Sequence, residues 1–71
     1  SSVNVSFDAQ GAQSADIRLI DLSGRQVKVI KADNLNGEFS TELNMSDLAD
    51  GVYMLNISAG DMQTTRRVIK Q

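Results

Sequence analysis

Apolar and polar residues alternate along most of the chain, and turn-forming residues interrupt the alternation at short intervals. Such alternation is typical of β-strands that bury one face and expose the other. The pattern predicts six strands, at about residues 3–7, 16–22, 26–31, 39–43, 52–58 and 62–70. We therefore expect an all-β fold, a small antiparallel Ig-like β-sandwich of about six to seven strands, with a small barrel as the alternative.

Two glycines lie where the predicted strands turn or begin. Gly24 would close a hairpin between residues 16–22 and 26–31 by adopting a left-handed backbone. Gly51 precedes the most regular strand, where positive φ or the close approach of another backbone would each favour glycine. Ser46 is expected to cap a single helical or 3₁₀ turn that ends at Gly51.

The alternation changes phase near the end of the second predicted strand. Ile17 and Leu19 share one face, whereas Ile20 and Leu22 continue on the opposite face. This change predicts either a β-bulge or a strand that is covered on both faces.

Composition narrows the classes of function. The chain has 71 residues, enough for one domain with a thin core, and it contains neither cysteine nor histidine. These absences exclude a disulfide framework and a Ser-His-Asp triad within the chain, so we expect neither enzymatic activity nor a cofactor. The net charge of −2 argues against nucleic-acid binding, and no apolar run reaches the roughly 20 residues of a membrane span.

The carboxylates are expected to serve turns rather than chemistry. Asp47, Asp50 and Asp61, with Asn44, do not have the spacing of a calcium-binding loop, so no metal site is predicted. Asp21 is expected to cap backbone N–H groups of its turn or to pair with Arg25 across the hairpin, because no base or nucleophile accompanies it.

Three segments carry a more specific signal. They are Ile-Asp-Leu-Ser-Gly-Arg-Gln-Val at 20–27, Leu-Ala-Asp-Gly-Val-Tyr-Met-Leu at 48–55 and Arg-Arg-Val-Ile-Lys-Gln at 66–71. In order and spacing they resemble the type A C-terminal sorting domain of the type IX secretion system, across about residues 17–71. The positions that carry the motifs are Asp21, Gly24, Arg25, Leu48, Gly51 and Tyr53. Tyr53 is expected to bury its ring and to bring its hydroxyl to the rim of the core.

The resemblance implies an address label without catalysis. Residues 1–71 would form one sorting domain, a fragment of a larger secreted protein whose cargo lies N-terminal to it. The domain would cross the periplasm, be recognised by the outer-membrane translocon and be removed by the sortase of that system. The cargo would then reach the cell surface or the medium. The implied partners are therefore translocon and sortase components.

The basic terminal strand is the candidate for recognition by the translocon. Its residues are Arg66, Arg67, Val68, Ile69, Lys70 and Gln71. They could form a solvated strand end that discourages edge pairing, a cationic surface for an acidic receptor, or a strand offered to a partner's sheet. Two other functions stay open, a carbohydrate- or surface-binding module and a structural Ig-like spacer. A homodimer by exchange of the first or last strand is a further expectation.

Overall fold

The computed structural model describes residues 2–71, and every regular element in that range is a β-strand. The strands are β1 (Ser2–Asp8), β2 (Ser14–Asp21), β3 (Gln26–Asp33), β4 (Glu38–Asn44), β5 (Gly51–Ala59) and β6 (Met62–Lys70). Strands β1 and β4 form a two-stranded sheet, and the other four form a sheet of order β3-β2-β5-β6, with every pairing antiparallel. The prediction of a small all-β sandwich is confirmed, and the two sheets are separate rather than closed into a barrel.

The core lies between the inner faces of the two sheets. In the four-stranded sheet, the central strands β2 and β5 contribute Ile17, Leu19, Leu55 and Ile57, all almost completely buried. Val5 of β1 is equally buried, and further residues of β1 and β4 join the same apolar cluster. The strands that bury most apolar surface are therefore the two at the centre of the larger sheet, where both edges are paired.

An aromatic pair closes the smaller sheet over this core. Phe7 and Phe39 are directly opposite each other on β1 and β4. Their ring centroids are 5.4 Å apart, and the rings are inclined at 70° in an edge-to-face arrangement. This geometry is favourable for aromatic pairs and adds to the apolar burial.

The turn predictions are only partly correct. The β2–β3 register shifts between Leu19 and Ile20, so a bulge, one of the two predicted alternatives, occurs here. Its extra residue is Val27 of β3, whereas β2 keeps an unbroken register with β5. Gly24 has φ of +89°, as the hairpin requires. Gly51 has φ of +150°, and a Cβ there would meet nothing within 4 Å, so backbone conformation rather than close approach favours glycine.

A single turn is present where it is predicted, but Ser46 is not its capping residue. Residues 46–48 form a turn in which the Leu48 N–H donates to the Met45 carbonyl, at 3.0 Å. The capping side chain is that of Asn44, whose Oδ1 accepts from the Ser46 N–H at 2.9 Å. Asparagine two residues ahead satisfies this N–H group without a helix.

Within residues 2–71, no helix has the length and hydrophobicity that crossing a membrane would require.

Candidate functional site

The three sequence motifs meet at one end of the four-stranded sheet. Asp21, at the end of β2, lies opposite Tyr53 of β5, and Tyr53 lies opposite Val68 of β6. Gly51, the first residue of β5, lies opposite Lys70, the last residue of β6. The order β2-β5-β6 thus brings together segments that are far apart along the chain. We call this region the motif end.

The first motif is organised around the carboxylate of Asp21. Its Oδ1 accepts from the backbone N–H groups of Ser23 and Arg25, at 3.0 and 2.9 Å, and from the Ser23 hydroxyl at 2.7 Å. Its Oδ2 accepts from Arg25 Nε at 3.1 Å. The hydrogen bond from the Ser23 hydroxyl, followed by that from the Arg25 backbone, holds the pKa of Asp21 below its ordinary value. Both roles predicted for Asp21, capping and pairing, are therefore present.

The second motif joins the core to the loop that precedes β5. The ring of Tyr53 is buried, and its hydroxyl donates a hydrogen bond to the Ala49 carbonyl. Leu48 packs against the core cluster from the same loop. The ring therefore anchors the strand while the hydroxyl fixes the loop, as the sequence predicts for Tyr53.

Three side chains of the terminal strand are used within the domain. Lys70 Nζ donates to the Leu48 carbonyl at 2.6 Å and lies 3.6 Å from the Asp50 carboxylate. Val68 packs against the core. Arg66 Nη2 donates to the Ser6 carbonyl on β1 at 3.2 Å, so it connects the edges of the two sheets. These contacts stabilise the position of β6.

The alternate residues of the same strand project outward. Arg67 lies opposite Met54, on the face of the sheet that points away from the core. In the part of the chain that the structure describes, Arg67 forms no ion pair. Ile69 is 54% exposed, and Gln71 follows the strand as an exposed residue. The six candidate residues thus divide between inward and outward positions.

The outward positions at the motif end include an apolar group. Ile20 lies opposite Met54, and Val52 lies opposite Ile69, on the face that points away from the core. We call these four side chains the apolar patch. Leu22, in the turn directly after β2, is 75% exposed and follows the same phase. The patch therefore contains residues from all three motifs.

The other candidate residues have structural partners. Lys28 Nζ lies 3.0 Å from the Asp47 carboxylate, and the hydrogen bond that it donates holds the pKa of Asp47 below its ordinary value. Asp50 is the neighbour of Lys70. Asp61 lies in the β5–β6 turn, beside an open cleft at the opposite end of the sheet from the motifs. Across residues 2–71, no three His, Cys, Asp or Glu side chains cluster in a way that could hold a metal ion.

The three aromatic rings pack in or against the core. Phe7 and Tyr53 are buried, and Phe39 packs against the core from the smaller sheet. Sugar-binding surfaces usually present an aromatic face to solvent. The positions of these three rings therefore do not favour the carbohydrate-binding alternative.

Sequence reasoning missed the internal roles of Lys70 and Arg66. The position of Lys70 could have been predicted from the sequence. A two-residue turn at Gly60 and Asp61 fixes the register of the β5–β6 hairpin and sets Lys70 opposite Gly51. Counting back from that turn would have brought the lysine to the loop at residues 48–50. Arg66 had no such signal, since its partner Ser6 lies in the other sheet.

Comparison with known families gives a match along the whole chain. The chain is similar to the family described as the secretion system C-terminal sorting domain, whose model matches residues 1–71. A comparison with individually curated proteins finds no match. The matched range includes the three motifs and all six strands described above.

Proposed function

Because the chain belongs to the secretion system C-terminal sorting domain family, we propose that it is the export signal of a cargo protein to which it is attached. In this role the outer-membrane translocon of the type IX system recognises the domain in the periplasm. The sortase of that system then removes it, and the cargo reaches the cell surface or the medium. The observation that carries this proposal is the family match over residues 1–71.

The signal proposed here is a folded surface rather than a linear tag. The three motifs lie far apart along the chain, yet they meet at the motif end once β2, β5 and β6 pair. Asp21, Tyr53 and Lys70 each hold a turn or loop of this end by hydrogen bonds. A receptor that reads this end therefore requires a folded domain, and the core supports recognition indirectly.

The terminal strand contributes to recognition through its outward residues. Arg67, Ile69 and Gln71 are available to a receptor, whereas Arg66, Val68 and Lys70 maintain the strand's position. Strand β6 is also an edge of its sheet, so its main chain can pair with an added strand. A cation on this strand would speed encounter with an acidic receptor surface.

The proposal is tested by export of a reporter. We would fuse residues 1–71 to the C-terminus of a periplasmic reporter in a host with the type IX machinery and measure the reporter in periplasm, surface and medium. The fusion should leave the periplasm, and deletion of residues 66–71 should retain it there. A wild-type fusion that stays in the periplasm would contradict the proposed function. Equal export without residues 66–71 would contradict the role of the terminal strand but would leave the proposed export function intact.

A core variant serves as the control for folding. Ile57→Asp introduces a charge at a position with no solvent exposure and should unfold the domain without changing residues 66–71. We expect this fusion to stay in the periplasm. If it is exported as well as the wild type, the signal is linear and the folded surface is not what the translocon reads.

The remaining alternatives predict different behaviour in the same assay. An Ig-like spacer would leave the reporter in the periplasm and would be tolerated inside a longer chain, whereas a sorting signal acts at the end of its precursor. Homodimer formation by exchange of the first or last strand stays a prediction. Sedimentation of the purified domain would measure it.

A further inference from the structure

We infer that the apolar patch is a docking surface for an apolar, acidic-bordered surface on a protein of the secretion machinery, an inference that rests on the proposed function. The patch consists of Ile20, Val52, Met54 and Ile69, as defined above. Its position on the outer side of the sheet means that no strand in residues 2–71 packs over it.

The outer face of the four-stranded sheet departs from the usual pattern of polar residues. Antiparallel sheets that bury one face normally expose polar residues on the other. The large hydrophobic residues that are exposed within residues 2–71 are Leu22, Val29 and Ile69, and they lie on or beside the outer face of the four-stranded sheet. Of these three residues, Ile69 belongs to the patch, and a contiguous exposed apolar patch with a polar rim is a mark of an interaction site.

Cationic side chains lie beside the patch. Two arginines flank it along β2 and β6, Arg18 two residues before Ile20 and Arg67 two residues before Ile69. The carboxylate of Asp50, two residues before Val52, is paired with Lys70 at 3.6 Å. Arg18 is already 3.3 Å from Asp16, whereas Arg67 has no carboxylate partner among the described residues. The whole chain has a net charge of −2, so this border is a local exception. Carboxylates at the edge of the partner's apolar surface would complement Arg67.

The small area of the patch argues against a second copy of this chain as its occupant. A stable interface buries about 800 Å² on each partner. The patch has four side chains, and three of them, Ile20, Val52 and Met54, are already partly covered by their neighbours. Two copies that packed patch on patch would also bring the unpaired Arg67 side chains to the same interface. A small apolar surface with one free cation instead suits a transient contact with a complementary protein, which a sorting signal needs because it must be released.

Export of the reporter fusion tests the patch through a double variant. Val52→Thr with Ile69→Thr makes a cross-strand pair polar while it keeps both side chains β-branched. We expect the exported fraction to fall about tenfold, because loss of central apolar contacts weakens binding on that scale. The matched control is Val29→Thr, a 41% exposed residue on the same face of the edge strand β3, which should be exported normally.

Folding is measured on the same variants. The purified 71-residue double variant should unfold within about 4 °C of the wild type, because Ile69 is exposed and Val52 is only partly covered, outside the core. Normal export of a folded double variant would overturn the docking surface while leaving the proposed function intact. A wild-type fusion that is not exported would instead contradict the proposed function. If the double variant is unfolded, the single variant Met54→Gln replaces it in the export assay, with the same expected loss.

The charge requirement has its own pair of variants. Arg67→Glu should lower export, because it sets a carboxylate against the acidic border of the partner. Lys31→Glu makes the same change of charge on β3, away from the patch, and should leave export unchanged. Equal export of both variants would contradict the proposal that acidic residues border the partner's apolar surface.

Photocrosslinking identifies the occupant during export. A photoreactive residue at position 69 should form a protein adduct whose linked peptide contains apolar residues beside Asp or Glu. The same residue at position 40, on the outer face of the smaller sheet, should form no such adduct. Adducts at position 69 that contain only a second reporter, or only lipid, would overturn the assignment of a partner protein.

Discussion

The two outer faces of the sandwich follow different rules. On the two-stranded sheet, every outward position is polar: Ser2, Asn4, Ser6 and Asp8 of β1 and Glu38, Ser40, Glu42 and Asn44 of β4. On the four-stranded sheet, the outward positions include the apolar patch, Val29, the Arg18–Asp16 ion pair and Arg67. One face is therefore acidic and fully hydrophilic, and the other is partly apolar with an unpaired arginine.

This difference separates what folds the domain from what a partner can read. Both sheets bury apolar residues on their inner faces, so folding alone explains the alternation of β1 and β4. Folding does not require Val52 and Ile69 to be apolar, because they project away from the core. The same strands β5 and β6 thus contribute to the core with one face and leave the other face available to a partner.

The largest expected effect is a difference in unfolding free energy between the same substitution on the inner and outer faces of the four-stranded sheet. Ile57→Ala removes a completely buried side chain and should lower the free energy of unfolding by about 2–5 kcal/mol. Ile69→Ala, at a residue 54% exposed on the outer face, should lower it by about 1 kcal/mol or less. Urea denaturation of both purified variants measures the difference. Similar losses would mean that the outer face stabilises the fold and that the comparison is wrong.

An intermediate effect is expected within the terminal strand. Lys70→Met keeps the apolar stem but removes the hydrogen bond to the Leu48 carbonyl, and should lower the free energy of unfolding by about 1–2 kcal/mol. Arg67→Met, at the outward position, should change it by about 0.5 kcal/mol or less. Thermal unfolding at neutral pH compares the two variants. A larger loss for Arg67→Met would reverse the inward and outward assignments of the strand.

Much of this arrangement could be predicted from the sequence. The alternation gives all six strands, and the β2–β3 hairpin follows from its turn residues. The change of phase at Ile20 and Leu22 left two interpretations, a bulge or a strand covered on both faces. The structure shows the bulge in the pairing with β3, and it also leaves Ile20 on an outer face that a partner could cover.

The contacts between distant segments could not be predicted from the pattern. A periodicity of two specifies which face a residue occupies, but it does not specify which strands become neighbours. The order β3-β2-β5-β6 brings the Asp21 turn beside the Tyr53 loop, and the stacking of the sheets brings Arg66 to the Ser6 carbonyl. The division of residues 66–71 into inward and outward groups depends on these neighbours.

The smallest expected effect is the pH dependence of the stability that the Asp21 carboxylate contributes. Asp21 has its pKa lowered from 3.8 by the Ser23 hydroxyl and by the Arg25 backbone, so folding favours its ionised form. Its contribution to stability is therefore present above about pH 4 and is lost as the pH falls through the lower folded-state pKa. Asp21→Asn should be less stable than the wild type at pH 6, and the difference should shrink below pH 4.

Glu38→Gln provides the matched control for Asp21→Asn. Glu38 is an exposed carboxylate on the polar face of the smaller sheet, and it takes part in none of the ion pairs within residues 2–71. Thermal unfolding midpoints of wild type, Asp21→Asn and Glu38→Gln, measured from pH 7 to pH 2, separate the two carboxylates. If Asp21→Asn stays below the wild type by the same margin at every pH, the loss comes from the shape of the turn. A margin that closes only for Asp21→Asn assigns the acid sensitivity to the motif end rather than to the polar face.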